Sequence, residues 1–430
     1  MKTVALITEY NPFHNGHQYH INEAKRITGA DCAVVIMSGN FVQRGTPAIM
    51  DKHLRAAAAI FCGADLVFEL PLPFASGSAE YFAEGAIRLA NELKCVDYIC
   101  FGSECGDIGL LSGIADILCD EPEEYRLFLQ ARLCEGLNFA VARKQALLSL
   151  HPEYESIINS PNNILGIEYL KALKKSKSPI TPCTIKRTGS SYHDTVCGGV
   201  MSSATALRRV LTDDYAAATV PGSNNSLLFD KIAAYVPSDA LHIYTDAFMK
   251  TFPIDENDFS EALYYKLLSD YNKSTAFSEY FEISPGLSNR INRLLSGYSG
   301  FSDFAMLLKN KAYTYSRICR GLTHILLEIK NADLSLYKSS GYIFYLRLLG
   351  MNGSCGTKEV LKEIADSADL PLVTSVSRFA DSGILSDTGK KMLLSELSAD
   401  ELYNHICAIK FKSNAISELS RKFLFIRENK

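Results

Sequence analysis

The chain has 430 residues, 47% hydrophobic and 21% charged, enough apolar content to bury a large core and to divide into two or three domains. Its formal net charge of −4 gives no global attraction for nucleic acid, so any such partner has to be met by a local basic surface. No stretch approaches the roughly 18 consecutive apolar residues of a membrane span, and MKTVALITEY turns polar where a secretory leader stays apolar, so a cytoplasmic protein with no membrane partner is expected.

The first half alternates strand-like and helix-like segments. TVALITEY (3–10), DCAVVIMS (31–38), DLVFELP (65–71) and VDYICFG (96–102) are short, apolar and rich in Val, Ile and aromatics, as strands buried on both faces are. Helices are expected between them at 17–28, 51–63 and 78–94, the second with Asp51 as its N-cap and Gly63 as its stop. Single helices between strands imply parallel pairing and an open α/β sheet. The 12 cysteines stand singly with no CxxC pair, as reduced buried thiols do, and the spacing of Cys100 and Cys105 fits no common zinc motif.

From 107 to about 175 the pattern is mostly helical, with Pro122, Pro152 and Pro161 opening segments where a missing amide proton does least harm. ITPCTIKR (180–187) reads as one more strand and SSATALRRVL (202–211) as a helix capped at Ser202 or Ser203. The turn-rich VPGSNNS (220–226) marks a boundary, dividing the chain into 1–220 and 221–430. The second part is helix-rich, with Arg and Lys recurring between apolar and Tyr positions in NRINRLL, KNKAYTYSRICRGLTHILLEIK and YLRLLG.

In open α/β sheets ligands sit beyond the carboxyl ends of the strands, and phosphates favour the amino end of the next helix. YNPFHNGHQYH (10–20) lies there, with Gly16 allowing close backbone approach. Its three histidines admit three readings. A metal site needs all three imidazoles on one helical face, yet Pro12 and Gly16 place the helix start after His14, and no acidic or cysteine ligand is close in sequence. His20 alone reads as a structural histidine. His14 and His17, flanking a glycine, suit a nucleotide.

HNGH resembles the HxGH signature of nucleotidylyltransferases and class I aminoacyl-tRNA synthetases, in which both histidines contact ATP phosphates. Attack at the α-phosphorus builds charge on phosphate oxygens, and two imidazole donors stabilise it. MSSATALRR resembles the SSTxxR element that closes the same site, with Ser203, Thr205 and Arg208 as the implied contacts; the alternative is a plain capped helix. The synthetase KMSKS form is absent. The longer strings EYNPFHNGHQYH, MSGNFVQRG, FGSECGD, SPNNILGIEYLKAL, RTGSSYHD and YLRLLGMN together resemble the tRNA(Met) cytidine acetate ligase family, from Met1 to about residue 380.

That resemblance implies a Rossmann-like nucleotidylyltransferase sheet domain at 1–220 that binds ATP, followed by a mainly α-helical tRNA-binding region at 221–430. The implied reaction activates acetate as acetyl-adenylate, releases pyrophosphate, and acetylates N4 of the wobble cytidine of elongator tRNA(Met). The implied ATP site comprises Ile7, Thr8, Glu9, Tyr10, Asn11, Pro12, Phe13, His14, Asn15, Gly16, His17, Gln18, Tyr19 and His20, then Gly102, Asn162 or Asn163, Arg187 and Thr188, with His14 and His17 catalytic. A side chain at Gly102 would obstruct the nucleoside, an asparagine amide both donates and accepts, and Arg187 offers a planar cation. Magnesium is expected on the phosphate oxygens, with no dedicated protein cage.

Arg44, in the glycine-bounded loop after the second strand, and Lys52, at a helix start where a cation needs an offsetting anion, are weaker candidates for phosphate or acetate contact. A loop such as 39–48 is expected to shield the reactive adenylate. Arg290, Arg293, Lys309, Lys311, Arg317, Arg320 and Arg347 are the expected holders of the splayed tRNA; a solvated helical face is the alternative for each. Two rivals are a small-molecule adenylyltransferase, which leaves the helical half without a role, and an RNA-binding module with a degenerate α/β half, which the intact HNGH disfavours.

Overall fold

The computed structural model describes residues 1–137, 139–187, 203–218, 230–380 and 382–427. The alternating half forms β1 (Thr3–Thr8), α1 (Asn15–Thr28), β2 (Cys32–Ser38), α2 (Lys52–Phe61), β3 (Leu66–Leu70), α3 (Ala79–Glu92) and β4 (Tyr98–Ser103). Helices between Ile108 and Ile158 lead to α4 (Pro161–Ser176), β5 (Thr181–Lys186) and α5 (Ala204–Ala218). β1 stops at Thr8 because Tyr10 adopts a left-handed backbone, φ 48°, which no strand continues.

β1 pairs in parallel with β2 and β4, β2 with β3, and β4 with β5. The chain therefore builds outward from β1 in one direction and then in the other, which opens a crevice beyond the carboxyl ends of β1 and β4. Alternate residues feed two cores, one on each face: Ala5, Val34 and Ile36 on one, Val4, Leu6, Val35 and Met37 on the other.

The carboxyl half also enters this sheet. YLRLLG, read as part of a helix-rich stretch, is strand β6 (Leu346–Asn352), antiparallel to β3; β7 (Leu372–Val373) and β8 (Leu424–Ile426) both pair with β6. A short apolar run has no period that separates a buried helix from a buried strand, and here the unpaired edge of β3 decides. Helix α6 (Asp387–Phe411) packs behind it.

Two basic residues are relocated by this. Arg347, expected to face RNA, is 3% exposed: its guanidinium lies 3.0 Å from Glu69 and 2.5 Å from Glu418. Lys52, considered for phosphate or acetate, is fully buried and meets both Glu69 carboxylate oxygens at 2.9 Å and also Asp400. The anion that offsets its charge is the protein's own. Burial pushes the Asp400 carboxyl up to about 6 and that of Glu396 nearby up to about 8.

Helices spanning 260–326 pack around a third core of Leu263, Leu287, Phe304, Ile318 and Leu322. This block holds the loop after β2: Phe41–Val42 pairs with Thr46–Pro47, and Thr323 Oγ1 donates to the Gly45 carbonyl at 2.8 Å. The segment expected as a shielding loop is thus a packed hairpin. Of the other basic residues considered for RNA, Arg320 pairs with Glu282, Arg290 donates to the carbonyls of Leu307 and Leu308, and Arg317 lies 5.5 Å over the Tyr313 ring; Arg293, Lys309 and Lys311 are exposed.

Candidate active site

His14 is the N-cap of α1, in extended backbone. Its Nδ1 accepts from Gly16 N at 3.0 Å, and His17 Nδ1 accepts from His14 N at 3.3 Å. HNGH is thus a capping box made of imidazoles, each doing what Ser and Glu do in the common form. With both Nδ1 atoms accepting, each neutral ring carries its proton on Nε2, leaving two N–H donors for a ligand. The rings stack at 3.8 Å, and His17 also packs 4.8 Å from Tyr10. Gly16 has a more specific role than close approach to a ligand: a Cβ there would stand 2.9 Å from His14 Cε1, so the glycine makes room for the cap.

The rings open on a cavity of about 250 Å³ at the carboxyl ends of β1, β4 and β5. Ile7, Thr8, Glu9, Tyr10, Asn11, His14, Gly16, His17, Tyr19 and His20 line one side, Gly102 and Arg187 another, and Ser203, Thr205 and Arg208 a third. Arg208 ties the third side to the first: Nη1 donates to the Asn11 carbonyl at 2.6 Å and Nη2 lies 3.1 Å from Thr205 Oγ1. Ser203 Oγ accepts from Ala206 N at 3.2 Å and so caps α5.

A family model described as HIGH Nucleotidyl Transferase matches residues 1–418. The chain is 40% identical over 410 residues to the tRNA(Met) cytidine acetate ligase of Acetivibrio thermocellus, covering 94% of each chain. It is also 40% identical over 423 residues to the protein of that name from Caldanaerobacter subterraneus, covering 97% of this chain and 98% of the other. The chain belongs to the tRNA(Met) cytidine acetate ligase family. The fold agrees: Thermotoga maritima TmcAL superposes with a TM-score of 0.89 at 29% identity, covering 99% of this chain and 100% of that one. A second form of TmcAL, bound with alpha-thio ATP, superposes at 0.86 with the same identity and coverage.

Several implied site residues of this ligase-family chain lie off the cavity wall. Phe13 is fully buried, and its carbonyl accepts from Tyr244 Oη at 3.1 Å. Asn15 donates through Nδ2 to the Ala234 carbonyl at 2.9 Å; Pro12 and Gln18 are likewise absent from the lining. Of the two asparagines, Asn162 lines the cavity while Asn163 is committed to backbone: Oδ1 accepts from Glu104 N at 2.9 Å and Nδ2 donates to the Ile157 carbonyl at 3.1 Å. Thr188 and Ser202 lie outside the described residues.

Arg44, a weaker candidate from the sequence, lines the cavity. Other residues come to the wall without a sequence signal: Gln43, Phe82, Phe101, Leu165, Tyr169, Ile185 and Lys186. Phe82 comes from α3, Phe101 from β4, and Leu165 and Tyr169 from α4, so no local spacing shows that they converge. Glu104 was also missed: its carboxylate accepts from Asn163 N at 2.9 Å and from Asn162 Nδ2 at 2.7 Å, occupying the amino end of α4. A Cβ at Gly102 would come 3.2 Å from Arg187 Cγ, a tight contact that the arginine side chain would have to relieve by a small shift.

Among the described residues, four cations, Arg44, Lys186, Arg187 and Arg208, face this cavity against one carboxylate, Glu9. Burial first, then the charges of Arg187 and Arg208, pulls His14 down to about 3. Burial and then Arg187 pulls His20 down to about 4, and His17 moves well below the usual imidazole range through burial, His14 and Arg187. Neutral imidazole donors in a cationic cavity suit a polyanion.

Proposed function

We propose that this protein is an ATP-dependent ligase that acetylates N4 of the wobble cytidine of elongator tRNA(Met) in the cytoplasm. The observation that carries the reading is the imidazole capping box, whose accepting Nδ1 atoms leave both Nε2 positions as donors on a cavity shared with Arg208. Triphosphate lies along His14, His17, Ser203, Thr205 and Arg208, and the nucleoside lies toward Gly102, Asn162 and Arg187. The carboxylate of acetate attacks the α-phosphorus; pyrophosphate leaves, and acetyl-adenylate remains. As the pentacoordinate phosphorus gathers charge on its oxygens, the two imidazoles donate to it without moving.

Magnesium in this reading travels on the phosphates. Among the described residues no group of three or more His, Cys, Asp or Glu is placed to hold a metal, and those lining the cavity include one carboxylate, too few for a cage. In this proposal 1–220 carries the nucleotide chemistry and 221–430 receives the RNA, through the surface bearing Arg293, Lys309, Lys311 and Arg317.

Incubation with ATP, labelled acetate and total tRNA tests the proposal. Labelled N4-acetylcytidine from the wild type, and its loss in His14→Ala and His17→Ala, is the expected result. Pyrophosphate release without labelled RNA would indicate a small-molecule adenylyltransferase; neither product would indicate an RNA-binding protein.

A further inference from the structure

The transfer half of this reaction has to remove a proton from an amine, and the nucleotide contacts leave that task unassigned. Cytosine N4 is a weak nucleophile that becomes strongly acidic once it bonds to the acyl carbon, so a carboxylate nearby suffices to receive the proton. Among the described residues lining the cavity, Glu9 is the one carboxylate. It directly follows β1, and its backbone carbonyl is held by Arg55 Nη1 at 2.6 Å, a side chain that is itself fully buried. The Glu9 carboxylate takes one hydrogen bond, from Gln43 N to Oε1 at 3.0 Å, and enters no salt bridge among the described residues. An anion left unpaired in a cavity that also carries four cations is held for a partner that donates.

We propose that Glu9 is a catalytic residue of the transfer step: it accepts a hydrogen bond from the exocyclic amine of the cytosine and takes its proton as the amine attacks. The step balances. A C–N4 bond forms, the C–O bond to the adenylate phosphate breaks, AMP leaves with that electron pair, and the N4 proton ends on the Glu9 carboxylate. Gln43 supports the assignment from an independent direction. Its Nε2 is buried on the same cavity with no hydrogen-bond partner. A carboxylate acceptor plus an amide donor complements the N4–H and N3 of cytosine, whereas uracil would set its O4 against the carboxylate.

The inference rests on the ligase reading, and three measurements on Glu9→Gln separate the two: acetate-dependent ATP–pyrophosphate exchange, acetohydroxamate formation with hydroxylamine, and acetyl transfer to tRNA(Met). Glutamine keeps an oxygen for the Gln43 amide and cannot hold the proton. Transfer should fall by about 10² or more relative to exchange and hydroxamate formation, the usual contribution of a general base. The ratio of transfer to exchange decides the matter, and Glu9→Asp, which keeps the carboxylate, should restore part of it. A ratio that falls less than about tenfold overturns the proposal, as does a parallel loss of all three activities that Glu9→Asp shares, which would place Glu9 with the nucleotide, its metal or the fold. Wild-type protein lacking acetate-dependent exchange would remove the ligase reading itself, and this inference with it.

Discussion

His14 and His17 stack at 3.8 Å with both Nδ1 atoms turned onto backbone amides, so the proposed catalytic pair and the start of α1 are one structure. Substitutions at His14 therefore have two separable consequences. His14→Ala removes the cap and a donor: it should lower stability by about 1 kcal/mol and acetate-dependent exchange by about 10²–10³. His14→Asn keeps a good cap, so its melting temperature should return close to wild type while exchange stays low. Equal recovery of both would mean that the ring matters as a cap alone.

Protonation of the buried imidazoles works against folding. His14 and His20 sit at about 3 and about 4 in the folded chain against 6.5 when unfolded. Between those values the unfolded chain binds more protons, so this contribution is complete above pH 6.5 and is lost as pH falls toward 4. Asp400 and Glu396, with raised values, act in the opposite sense, so the measurement is a difference. The gap in melting temperature between wild type and His20→Gln should change in favour of the variant as pH drops from about 7 to about 5. A constant gap would place His20 outside the titrating set.

Lys52 supports the fold, not the substrate. Lys52→Ala leaves Glu69, Asp400 and Glu418 buried around a missing cation and should cost about 3–5 kcal/mol in urea unfolding. Exchange activity per folded molecule should be unchanged at low temperature. A raised KM for ATP or acetate with normal stability would restore Lys52 as a ligand.

The basic surface is tested by removing Arg293, Lys309 and Lys311 together. Adenylate formation should be untouched, KM for tRNA should rise, and the slope of log affinity against log salt should shrink by about 2–3. Filter binding across a salt series gives the slope. An unchanged slope would move the RNA to another face.

Local features were readable because their causes are local. Pro12 and Gly16 mark the helix start after His14, though not its imidazole cap; the buried run CAVVIMS announces a strand by composition, and Asp51 accepts from His53 N at 2.8 Å and Leu54 N at 2.9 Å as a helix N-cap does. SSATALRR likewise marks its own helix start, with Ser203 bonded to Ala206 three residues on. The family resemblance attached chemistry to these places; the spacing alone left a metal, a structural and a nucleotide reading open.

Only tertiary structure decided the rest. Lys52 and Arg347 look, in their own neighbourhoods, like any solvated cations, and the Asp400 carboxylate that neutralises Lys52 stands 348 residues away. The strand that carries Arg347 was hidden for the same reason, since the edge it covers belongs to β3. Side-chain periodicity reports which face of an element is buried, whereas charge compensation and cavity walls depend on which elements meet. The apolar wall of Phe82, Phe101, Leu165 and Tyr169, and the loneliness of Glu9 among cations, exist only once the sheet has closed around them.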